Sequence, residues 1–103
     1  MGRFNLDLNP YGGIYITNGK IDKLKVEKAS QEILQKAIKG PMKRNRHGEI
    51  VIQLLADNVV VGKLFEDINI SLLEIGGFWV TTSGIKVELI FNGKIVGMIW
   101  LRD

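Results

Sequence analysis

Cysteine is absent from this chain, histidine occurs once, at His47, and proline twice, at Pro10 and Pro41. Without thiols there are no disulfides and no thiolate metal centre, so zinc would have to be held by scattered carboxylates. No metal or cofactor is expected. No apolar run approaches the roughly 20 residues that cross a bilayer as a helix, and no basic start followed by an apolar stretch suggests a signal peptide. The expectation is a soluble, cytoplasmic protein that does not enter the membrane.

Catalytic signatures are missing as well. The three serines, Ser30, Ser71 and Ser83, sit in no G-x-S-x-G, and neither Gly12-Gly13 nor Gly76-Gly77 follows a strand and opens a helix as a phosphate loop must. His47 lies among Lys43, Arg44 and Arg46, where a metal-free ribonuclease could use it for proton transfer. Such chemistry needs a second acid-base group, and none is nearby. The sequence reads as a non-enzymatic protein.

What the chain has is a repeated stretch. Residues 50–65 read IVIQLLADNVVVGKLF and residues 85–100 read IKVELIFNGKIVGMIW, and they align without a gap. Ile50, Leu54, Val61 and Gly62 match Ile85, Leu89, Val96 and Gly97. Asp57-Asn58 falls on Asn92-Gly93, and both dipeptides tolerate the positive φ of a tight turn. Each copy therefore reads as a β-hairpin. With two-residue loops, strict alternation puts Ile50, Ile52, Leu54, Ala56, Val59, Val61 and Phe65 on one face of the first hairpin. Ile85, Val87, Leu89, Phe91, Val96, Met98 and Trp100 take that face in the second. These faces are expected to pack against each other. The same counting sets Gln53 opposite Gly62 and Glu88 opposite Gly97. It leaves Leu55, Val60, Ile90 and Ile95 as apolar tips on the other face, a candidate oligomer interface.

Elsewhere Arg3 to Leu8 alternates as a half-buried strand, Asn9 to Gly13 is turn material, and residues 14–21 form a further hairpin around Asn18-Gly19. From Leu24 the apolar period lengthens. Val26, Ala29, Ile33, Leu34, Ala37 and Ile38 share a helical stripe, predicting one helix at about 28–39. Ser30 would cap it, with an earlier start near Glu27 as the alternative, and Gly40-Pro41 would stop it. Ile68 to Leu72 and Phe78 to Thr82 read as further strands. With 103 residues, 46% of them hydrophobic and 24% charged, the chain is expected to form a single domain, 1–103. Its class is α+β, mainly antiparallel β, with eight or nine short strands and one helix, in a small sandwich or a partly closed barrel.

Charge is unevenly spread. Residues 1–47 carry ten Lys or Arg against four Asp or Glu, and residues 48–103 carry four against seven. The basic excess concentrates in KGPMKRNRHGE, residues 39–49, read as a loop. Lys36, Lys39, Lys43, Arg44, Arg46 and His47 are thus the candidate nucleic-acid-binding residues, able to neutralise phosphates but without an interleaved aromatic for base stacking. Trp79 and Trp100 read as core or interface anchors. The leading expectation is a small nucleic-acid-binding accessory protein. The alternative is a homo-oligomeric protein-interaction module, such as a virion component or an inhibitor of the mobile-element type, with another protein as partner.

Overall fold

The computed structural model describes residues 15–17, 19–82 and 84–102. The strand expected at Arg3 to Leu8 and the turn at Asn9 to Gly13 lie outside them. Two short strands, β1 (Ile16–Thr17) and β2 (Lys20–Ile21), pair as the expected hairpin. Helix α1 (Lys23–Lys36) follows, and then β3 (Ile38–Arg44), β4 (Ile50–Ala56), β5 (Val59–Leu64), β6 (Glu74–Thr81), β7 (Gly84–Phe91) and β8 (Lys94–Leu101). The last six form one antiparallel sheet in the order β3-β4-β5-β8-β7-β6. The class is α+β with β dominant, and the sheet is not closed into a barrel. No helix among the described residues is long and apolar enough to cross a membrane.

The helix begins about a turn before its expected start. Asp22 is the N-cap, its Oδ1 accepting from the Lys25 N–H at 3.2 Å. Ser30 is no cap. It is fully buried in mid-helix, where its hydroxyl donates to the Val26 carbonyl at 2.7 Å. Gly40-Pro41 does not end the helix either, because the chain has already turned at Ala37 into β3. Most of the expected basic loop is therefore strand, and only the turn between β3 and β4 is irregular.

The repeat is present in three dimensions and is longer than the sequence suggests. Both hairpins turn on two residues with positive φ, Asp57-Asn58 and Asn92-Gly93, the type I′ geometry that matches strand twist. Each then carries a bulge at the same place. Leu54 pairs with Gly62 and Leu55 with Val60, leaving Val61 out of register, while Leu89 pairs with Gly97 and Ile90 with Ile95, leaving Val96 out. Outside the hairpins, β3 meets β4 as β6 meets β7: Met42 faces Ile52 as Phe78 faces Val87, and Arg44 faces Ile50 as Val80 faces Ile85. Both outer strands break register at a glycine pair or its counterpart, Gly40-Pro41 and Gly76-Gly77. The repeated unit is a three-stranded meander.

The two meanders join at β5 and β8 through Gly62 with Ile99, Lys63 with Met98, and Leu64 with Gly97. Lys63 and Met98 are equivalent positions, so a local two-fold axis passes between them. The two glycines let the backbones meet. A Cβ on Gly62 would lie 2.3 Å from the Met98 carbonyl oxygen, and one on Gly97 would lie 2.5 Å from that of Lys63.

The bulges correct the expected faces. Because one extra residue inverts the alternation beyond it, Leu64, Ile99 and Leu101 are buried, whereas Phe65 is exposed and Met98 and Trp100 are half-buried on the opposite side. For the same reason Gln53 stands opposite Lys63 and Glu88 opposite Met98. The hairpins lie edge to edge in one sheet and do not pack face to face. Their common inner face carries Ile52, Leu54, Leu64, Ile85, Val87, Leu89, Ile99 and Leu101, all buried. Helix α1 lies against this face at β8 and β6, with Val26 fully buried and Ala29, Ile33 and Leu34 packed alongside. The crossover from β5 to β6 adds Ile68, Ile70 and Leu73. It includes a 3-10 turn at Ile70–Leu72, where a strand was expected, capped by Asn69 through the Ser71 N–H at 3.0 Å. Each fully buried aliphatic side chain contributes about 1.5–3 kcal/mol.

Candidate nucleic-acid interface

The six basic and imidazole residues singled out by the sequence do not converge. Lys36 closes the helix and pairs with Asp57 at 3.7 Å, and Lys39, the second residue of β3, pairs with Asp67 at 2.6 Å. Residues 39 and 44 of β3 are separated by about 16 Å of strand. Alternation then divides the remainder. Arg44 shares the inner face with Met42, and its Nη1 donates to the Gly48 carbonyl at 2.6 Å, while Lys43 projects on the outer face beside Val51. Arg46 and His47 occupy the exposed turn, which Asn45 orders by accepting from the His47 and Glu49 amides, both at 2.9 Å. That leaves Lys43 and Arg46 as the cations of the six whose side chains make no hydrogen bond or ion pair among the described residues.

The outer face of the sheet offers a denser arrangement. No described element lies across it. One row, from β6 to β8, is Trp79, Lys86 and Trp100, each pair directly opposite across adjacent strands, where Cβ atoms lie about 5 Å apart. The two-fold equivalents, from β3 to β5, are Lys43, Val51 and then Phe65 just past the end of β5. Lys63 sits between the rows, its Nζ 5.7 Å from the centre of the Phe65 ring, close enough for a cation–π contact. Aromatic and cationic side chains therefore alternate along a diagonal: Trp79, Lys86, Trp100, Lys63, Phe65 and, beyond Val51, Lys43. Six strands at about 4.8 Å spacing make the sheet that this track crosses roughly 24 Å wide.

At one end of the track a shallow cleft of about 270 Å³ is lined by Lys63, Thr81, Gly84, Lys86, Trp100 and Arg102. Three cations surround one indole, and among the described residues no carboxylate lines the cleft. Glu88, two residues along β7 from Lys86, is engaged elsewhere, accepting from the Gly77 N–H at 3.2 Å. A second, larger cleft of about 890 Å³ separates α1 from the crossover and is lined by Glu27, Gln31, Gln35, Asn69 and Glu74 among others. No group of three His, Asp or Glu side chains among the described residues could hold a metal ion.

The outer face also carries Leu55, Val60, Ile90 and Ile95, the expected oligomer residues. They form two patches related by the local two-fold, with Ile38 beside Leu55 and Glu74 beside Ile90. Sequence reasoning missed the Trp79–Lys86–Trp100 row because the position of Trp100 depends on the bulge at Val96. Lys86 was the available signal, since it alternates with buried Ile85 and Val87. No known protein family, curated protein or solved structure matches this chain.

Proposed function

We propose that this protein is a non-enzymatic binder of single-stranded nucleic acid, and that the strand lies along the diagonal of the outer sheet face. Bases stack on Trp79, Trp100 and Phe65, and phosphates meet Lys86, Lys63, Arg102 and Lys43. The observation that carries the reading is the cleft in which Lys63, Lys86 and Arg102 surround Trp100 with no carboxylate among its described lining residues. Stacking on aromatic platforms beside a cationic path is how sequence-tolerant single-strand binders work, each stacked base contributing about 1–3 kcal/mol. Open sheets serve this purpose because flat strands present several rings to unpaired bases at once. The β3–β4 turn, with Arg46, extends the positive end near Lys43 and is an auxiliary contact.

The test is titration of the tryptophan fluorescence with short homopolymeric DNA and RNA oligonucleotides over a range of salt. Binding should quench the emission, and log K should fall with log salt at a slope of about −2 to −3 for three or four phosphate contacts. Reversing Lys63, Lys86 and Arg102 to Glu should abolish binding, while reversing Lys43, Arg44 and Arg46 should weaken it by about tenfold or less. Unchanged affinity in the first triple variant, or no binding by the parent at low salt, overturns the reading.

A further inference from the structure

The local two-fold makes the two edges of the sheet, β3 and β6, equivalent by position, yet their sequences diverge in one respect. Lys39, Pro41, Lys43 and Arg44 on β3 correspond to Ile75, Gly77, Trp79 and Val80 on β6. The β3 edge carries the devices that prevent strand addition: a proline with no N–H to donate and cations along the edge. Two copies of β3 laid antiparallel would also oppose lysine and arginine to one another, which is unfavourable. None of this protects β6. Its single charge is Glu74 at one end, and antiparallel self-pairing would send the two Glu74 side chains to opposite ends. Trp79 and Val80 remain 41% and 45% exposed, one on each face of the edge.

We infer that β6 is a pairing edge whose occupant is β6 of a second copy, antiparallel across a two-fold axis. The protein already joins strands in this way internally, since β5 and β8 are equivalent strands paired around a two-fold at Lys63 and Met98. An isologous contact of this kind closes on itself as a dimer and does not propagate. The pairing is confined to Phe78–Thr81, because the bulge at Gly76-Gly77 interrupts the edge and Glu88 occupies the Gly77 N–H. Val80 and its counterpart pack on the helix side, and Trp79 and its counterpart on the outer side. The two sheets become one, and their aromatic–cationic tracks run toward a common seam.

Sedimentation velocity over a concentration series, without nucleic acid, tests the inference independently of the nucleic-acid reading. A short strand contact should give a dimer with a dissociation constant of roughly micromolar order. Val80→Lys, which places a charge on the edge, should weaken it by about tenfold or more, whereas Met42→Lys on β3 should leave it unchanged. In the parent, amide exchange at Phe78 to Thr81 should slow as concentration rises, a readout that needs no variant to fold. A monomer up to about 1 mM, or exchange at these amides independent of concentration in a dimer, overturns the inference. So does a dimer that survives Val80→Lys but dissociates on Leu55→Lys or Ile95→Lys, since the copies would then meet by their outer faces.

Discussion

Residues 38–64 and 74–101 share one backbone plan and differ in what covers them. Ile50 and Ile85 hold the same position in the two meanders and are the same amino acid, yet Ile50 is 53% exposed and Ile85 is fully buried. Met42 is exposed where its counterpart Phe78 is half-buried against the core, and Val61 is half-buried where Val96 is buried. The difference comes from α1, which lies against β6 and β8. Burial here is decided by the helix layer and not by the repeat itself. The second meander supplies most of the core, and the first extends the sheet beyond it, freeing β3 to become polar and cationic.

The sharpest way to break the comparison is at the junction the halves share. Gly62→Val and Gly97→Val should each cost more than about 3 kcal/mol, because the new side chain meets backbone that cannot retreat. Chemical denaturation should show both variants largely unfolded, and tolerance of either would mean that β5 and β8 do not pair in this register. Next in size is the isoleucine pair. Ile85→Ala should lose about 2–4 kcal/mol and Ile50→Ala less than about 1 kcal/mol. Equal losses would contradict the one-sided cover. Smallest is the exposed ion pairing of the first half. Lys39→Ala should shift stability by about 0.5 kcal/mol or less despite its 2.6 Å contact with Asp67, since exposed pairs contribute little. A larger loss would show that the crossover is held to β3 more firmly than its solvent exposure suggests.

Much of this architecture was legible in the residues. Asp57-Asn58 and Asn92-Gly93 marked the turns by their tolerance of positive φ, and IVIQLLA and IKVELIF alternate cleanly enough to assign the buried side of β4 and β7. The returning strands were not legible. From Ile95 to Leu101 only Gly97 is not a sizeable apolar residue, so composition gives no phase, and nothing local marks the bulge that sets it. The helix start was obscured because Lys23, Leu24 and Lys25 face solvent, so that the apolar stripe begins only at Val26. Gly40-Pro41 resembled a helix stop because that pair serves equally well in an edge-strand bulge. The candidate site followed the same division. Single basic residues were visible, but their dispersal along β3 and the convergence of Lys63, Lys86 and Arg102 on Trp100 depend on strand order, which the sequence does not print.

The residue left out of register in each hairpin works like a frame shift. In β8, which side chains meet water is recorded in the strand's offset from β7 and not in its own letters. Were Val96 paired in regular register, with no residue added or lost, Leu89 would face Val96 and Ile85 would face Trp100, carrying the indole inward and Ile99 and Leu101 out.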